Sequence, residues 1–123
     1  MADTHVHHGF DYIEIPALNL DASATFYRAA FGWSFNAYGP GYLGIVTSDG
    51  HEAGGISLTG ALERGDGPLV VLFSRDLELT RVAVLNAGGA ITREIFEFPD
   101  GRRFHFTDPS GNELGVWSTL IES

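Results

Sequence analysis

The stretch Ile15–Trp33, IPALNLDASATFYRAAFGW, changes its hydrophobic period part-way along. Just upstream, Ile13 and Ile15 alternate with Tyr12 and Glu14, the period of a half-buried strand over Asp11–Ile15. Pro16 has no N–H to offer a ladder and ends easy pairing. From Leu20 the apolar positions fall at helical spacing, Leu20, Ala24, Tyr27 and Phe31, with Asn19 or Asp21 available as N-cap and Gly32 as the stop.

Downstream, Trp33–Ala37, Tyr42–Thr47 and Glu52–Leu58 read as three short strands, joined through Gly39-Pro40-Gly41 and Asp49-Gly50. The first half is therefore βαβββ. Beyond the loop Thr59–Pro68 the order begins again: Leu69–Phe73 is strand-like, and Leu79, Val82, Ala83 and Ala87 lie at helical spacing before Gly88-Gly89. Asn19 and Asp76 are separated by the same interval as Gly32 and Gly89, which points to two units of one plan. Ala90–Phe98, Arg102–Thr107 and Glu113–Trp117 complete the second unit, with turns at Pro99-Asp100-Gly101 and Asp108-Pro109-Ser110-Gly111. The expected architecture is α+β: two βαβββ repeats, near 10–58 and 69–118, forming a curved mixed-sheet trough. They make a single domain over 10–123 behind a flexible tail of residues 1–9.

Alternation sorts the strand residues into two faces. Ile13, Ile15, Ile56, Leu58, Val70, Leu72, Phe104, Phe106, Leu114 and Val116 are expected under the helices. Their neighbours, among them Tyr12, Glu14, Gly55, Ser57, Phe73, Arg103, His105, Thr107, Glu113, Gly115 and Trp117, are expected to line the trough.

Composition sets outer limits. A chain of 123 residues, 44% hydrophobic and 19% charged, is one ordinary globular domain. A formal net charge of -9 with only 7 basic residues argues against a nucleic-acid partner. With no cysteine there are no disulfides, thiolate nucleophiles or thiolate metal ligands. No apolar run approaches the roughly 20 residues that span a bilayer, and no basic segment followed by an apolar one opens the sequence. No membrane partner is expected, and the cytoplasm is the expected location.

Ile15–Trp33, FHFTDPSGNELGVWS over Phe104–Ser118 and, as a weaker echo, SRDLELTRVAVLNAGGAI over Ser74–Ile91 together resemble the vicinal oxygen chelate superfamily. That superfamily includes glyoxalase I, extradiol dioxygenases, and fosfomycin- and bleomycin-resistance proteins. The resemblance covers nearly the whole chain and implies the glyoxalase/bleomycin-resistance/dihydroxybiphenyl dioxygenase fold. In its metal-dependent members four His, Gln or Glu side chains, from the first, fourth, fifth and eighth strands, hold a divalent ion. By register those positions fall on Tyr12, Ser57, Leu69 and Gly115. None is a normal ligand, so neither a metal nor another cofactor is expected.

His105 is the first candidate for chemistry. It falls on the trough face, where fosfomycin-resistance relatives place a tyrosine against their ligand. With Glu14 in reach it is an imidazole oriented by a carboxylate, suited to moving a proton; the bland alternative is a buried histidine satisfied by Glu14 or Thr107. Glu14, a mid-strand carboxylate, needs a partner, from His105 or Arg103. Arg103 is either a bidentate clamp for a carboxylate or phosphate, or a solvated edge-strand charge. Tyr12, Phe73 and Trp117 offer an aromatic lining, or else core or dimer surface, and Ser57 and Thr107 add hydroxyls. The tail His5-Val6-His7-His8 is assigned no part in catalysis, and the Asp108–Asn112 segment only a role in the fold.

The function these features favour is small-molecule binding, sequestering or accessory, without the usual metal ligands. An alternative is a metal-independent isomerase, epimerase or lyase using His105 with Glu14. A metal-dependent glyoxalase- or dioxygenase-type enzyme follows only from a different register. A homodimer is expected, because relatives of this fold usually pair and curved sheets leave edges to cover.

Overall fold

The period change after Ile15 is realised as a helix cap. In a computed structural model describing residues 5–62, 68–99 and 101–120, Asn19 has an extended backbone and its side chain accepts from Ala22 N at 3.0 Å. Helix α1 (Leu20–Phe31) then runs to Gly32, whose φ of 74° is the left-handed stop that glycine adopts without strain. Asp76 repeats the device, accepting from Leu79 N at 3.1 Å to open α2 (Leu77–Asn86). Of the turn at Pro99-Asp100-Gly101, Asp100 lies outside the described residues, as do residues 1–4 of the tail and residues 63–67 of the glycine-rich loop.

Among the described residues eight strands accompany the helices: β1 (Ile13–Ala17), β2 (Ser34–Ala37), β3 (Tyr42–Val46), β4 (Glu52–Leu58), β5 (Val70–Phe73), β6 (Ala90–Phe98), β7 (Gly101–Thr107) and β8 (Glu113–Thr119). They form two four-stranded mixed sheets, ordered β1-β4-β3-β2 and β5-β8-β7-β6, each with one parallel pair. The two βαβββ units are thus present. Pro16 does not end β1, because β1 is an edge strand and its free side needs no donor. Arg103 is no edge charge either: β7 lies between β8 and β6.

Both helices lie between the sheets. One cluster joins Ile15, Ile45 and Ile56 of the first sheet to Phe26, Tyr27, Leu77 and Val84 of the helices and to Phe104, Phe106, Leu114 and Val116 of the second. Phe106 is the seam, its ring 5.9 Å from Phe26 and 5.6 Å from Phe31, both on α1. Beside it the buried Tyr27 hydroxyl donates to Asp108 at 2.8 Å, and Asp108 also accepts from Ser110 N, Asn112 N and Asn112 Nδ2. Asn112 Nδ2 reaches Pro16 O at 2.7 Å, and Leu18 N donates to Ser110 Oγ at 2.9 Å. The β7–β8 turn therefore ties the second repeat to the first strand of the first.

The helix-covered faces follow the alternation except at the ends of the β1–β4 pair. Ile13 is 41% exposed and Leu58 48%, since they open and close that pair beyond the packed centre, and Val70 and Leu72 are only partly buried. Among the described residues no helix is long and apolar enough to cross a membrane.

Candidate functional site

Since the inner faces of both sheets share one helical layer, the faces expected to line a trough look outward on opposite sides of the chain. The first carries Tyr12, Glu14 and Ser57; the second carries Phe73, Arg103, His105, Thr107 and Trp117. Glu14 and His105 are accordingly on different sheets, and each has another partner.

On the first sheet the floor is bare backbone where Gly44 faces Gly55 across the β3–β4 ladder. A Cβ at Gly55 would meet the Tyr42 hydroxyl at 2.0 Å, and one at Gly44 would meet the Glu52 carboxyl and Tyr38 ring within 2.8 Å. Side chains from β3, β4 and the β2–β3 turn lie over this floor in one network. Tyr42 donates to Glu14 at 2.8 Å, its hydroxyl lies 3.1 Å from that of Tyr12, and Tyr12 donates to Glu52 at 3.2 Å. Tyr38 and Asn36 donate to the other Glu52 oxygen at 2.7 and 3.1 Å. The Tyr38 bond, then that of Asn36, holds Glu52 below the usual carboxylate range. Burial, and then bonding to Tyr12 and Glu14, pushes the Tyr42 phenol up. The result is an acidic, phenolic wall. Gly55→Ala is expected to displace Tyr42 while the fold survives, because what a Cβ meets is the far end of a side chain. Spectrophotometric titration should then show one phenol moving down towards its ordinary range, and an unchanged titration would refute this placement.

The second sheet differs. His105 is 8% exposed, and its Nδ1 donates to Glu113 Oε2 at 3.0 Å, an oxygen that also accepts from Thr92. Gly115 sits directly across from His105, and Glu113 one diagonal step away opposite Thr107. A Cβ at Gly115 would lie 3.3 Å from His105 Cδ2 and 3.5 Å from Val71 Cγ2, so the glycine lets those two side chains close in over the strand. Phe73 (54% exposed) packs edge-on against Trp117 at 5.3 Å, and Phe98 lies 6.3 Å from the same indole. Arg93 and Arg103 both stand over the Phe96 ring, with Cζ 3.7 and 5.3 Å from its centroid. Two buried nitrogens on this face, Arg103 Nε and His105 Nε2, have no hydrogen-bond partner among the described residues. The arrangement is an aromatic wall beside two arginines and a histidine.

Tyr38, Tyr42, Asn36 and Glu52 on the first face, and Arg93, Phe96 and Phe98 on the second, were not among the candidates drawn from sequence. They sit on or beside β2, β3, β4 and β6, and the alternation of Tyr42-Leu43-Gly44-Ile45 carried the signal for the tyrosine. Arg102, next to Arg103, turns the other way to form a bidentate pair with Glu78 on α2.

The family model for the glyoxalase/bleomycin resistance protein/dioxygenase superfamily matches residues 9–116. No curated protein matches the chain. Among solved structures, a glyoxalase/bleomycin resistance protein/dioxygenase family enzyme from Burkholderia phytofirmans PsJN aligns with TM-score 0.76 at 17% identity, over 90% of this chain and 98% of that one. TnmS3, an antibiotic binding protein from Streptomyces sp. CB03234, aligns with TM-score 0.69 at 23% identity, over 97% and 98%. TioX from Micromonospora sp. ML1 aligns with TM-score 0.70 at 15% identity, over 91% and 99%.

Proposed function

Because the chain belongs to the glyoxalase/bleomycin resistance protein/dioxygenase superfamily, we propose that it binds a small molecule without a metal, in a sequestering or accessory role, within a trough completed by a second copy of itself. The observation that carries this reading is the outward face of the second sheet, where Leu69, Val71 and Phe73 are exposed and two buried nitrogens, Arg103 Nε and His105 Nε2, have no partner among the described residues. An antibiotic binding protein among the structural neighbours supports it.

The positions that hold the ion in metal-dependent relatives carry Tyr12, Ser57, Leu69 and Gly115. Leu69 and Gly115 have no side-chain donor, and among the described residues no group of three His, Cys, Asp or Glu gathers at ligating distance. That donor set does not fit a divalent cation, and no step is routed through one. The proposed homodimer sets the acidic, phenolic face of one copy opposite the basic, aromatic face of the other, which is electrostatically complementary and, repeated by a two-fold axis, yields two equal troughs. Light scattering at micromolar concentration is expected to give twice the chain mass of 13.3 kDa; a clean monomer removes the shared trough.

The ligand reading is tested by a thermal-shift screen of flat metabolites and antibiotics, because a compound at about 100 times its Kd adds about 2.7 kcal/mol of stability. A screen with no hit, together with about one divalent metal per chain in elemental analysis, overturns it. A second reading, a metal-independent isomerase, epimerase or lyase, draws on one observation, the orientation of the His105 imidazole by Glu113. In that enzyme Glu14 acts from the second copy. His105→Ala then abolishes turnover of a screening hit, whereas in the binding reading it only weakens affinity.

A further inference from the structure

We infer that Arg93 and Arg103, disposed about Phe96 beside His105, form an anion subsite in the trough, and that the ligand is a flat aromatic carboxylate. The inference rests on the small-molecule reading above and names its chemistry. Arg81 and Arg102 show what arginines do elsewhere on this chain: each forms a bidentate pair, with Glu94 and Glu78. Arg93 and Arg103 instead lie over a phenyl ring, Arg103 also 5.5 Å from Phe98, and neither has a carboxylate within ion-pair distance among the described residues. A guanidinium over an aromatic face keeps its edge N–H groups in a plane, the geometry that grips a carboxylate with two parallel bonds.

Two further atoms point the same way. Arg103 Nε and His105 Nε2 are buried and, among the described residues, unpartnered, on one face of β7 two residues apart. Nδ1 of His105 already donates to the Glu113 carboxylate, so Nε2 is left to accept a ligand hydroxyl or, protonated, to donate to the anion. His105 pairs directly across the β6–β7 ladder with Arg93, and its ring lies 6.0 Å from that of Phe96. The aromatic part of the ligand follows from the wall, where exposed Phe73 stands edge-on to Trp117 with ring centroids 5.3 Å apart.

The test is titration calorimetry with 2-naphthoate and its uncharged isostere 2-naphthamide on the wild type, Arg93→Gln and Arg103→Gln. The expected result is naphthoate binding about tenfold or more tighter than naphthamide, with each substitution removing most of that preference and leaving naphthamide affinity unchanged, as loss of a charge-assisted bidentate contact predicts. Added sulfate should compete with naphthoate alone. Equal binding of the two probes overturns the anion subsite but leaves the small-molecule reading standing. No binding of either probe overturns the subsite, and if the thermal-shift screen is also blank, the parent reading falls with it. If the two variants instead weaken dimerisation and leave naphthoate affinity unchanged, the arginines serve Glu14 and Glu52 of a second copy, and the inference is wrong. Urea midpoints check folding, and Arg93, exposed on β6, keeps the test open should Arg103→Gln fail to fold.

Discussion

Phe106→Ala is expected to lower the free energy of unfolding by about 3–5 kcal/mol, the range of buried phenylalanine truncations. Phe106 is fully buried, and its ring meets Phe26 and Phe31 of α1 although it belongs to the second repeat. Truncation leaves a void where the two repeats meet, and the rings around it are held by α1 and by β7 itself, which limits collapse. The contrast is His105→Ala one residue away, on the outward face, where the same denaturation experiment should show a much smaller loss. Equal losses at the two positions would mean that the faces of β7 have been assigned the wrong way round.

Asp108→Ala is the second large effect, expected at roughly 3 kcal/mol from the loss of hydrogen bonds to a charged acceptor. Its carboxylate receives four donors, one of them the Tyr27 hydroxyl, which is sealed in the core. Removing the acceptor strands that hydroxyl and loosens the turn that reaches Pro16 and Leu18. Tyr27→Phe should cost less, because Asp108 keeps its other three donors. The double variant should be more stable than the sum of the two losses implies, since the stranded hydroxyl is then gone too. Strict additivity in urea denaturation would show that Tyr27 and Asp108 do not act as a unit.

Much of this was legible in the chain. The caps at Asn19 and Asp76 and the stop at Gly32 are local chemistry, so both helices and the repeat could be placed from them. The β7–β8 hairpin is legible further still: a turn over Asp108–Asn112 sets Thr107 opposite Glu113, which leaves His105 one diagonal step from that carboxylate. Glu14 is not the partner of His105, since alternation tells which residues share a face and not which faces meet. That relation is tertiary, set by Phe26 and Phe31 packing on Phe106, so that the helices and not the trough lie between the sheets. The tolerance of Pro16 within β1 is tertiary too, since it depends on β1 being an edge.

The separation of a shared helical core from two outward faces has a consequence for how such a chain changes over generations. Selection for a new ligand acts on side chains such as Phe73, Phe96 and Arg103 that hold up little of the interior, so their replacement is expected to stay close to neutral for folding. Drift at Phe106 or Asp108 is purged whatever the ligand is. A library randomised at outward positions alone should therefore yield mostly folded members with divergent affinities, and the same scaffold can be re-addressed to new molecules without first being made more stable.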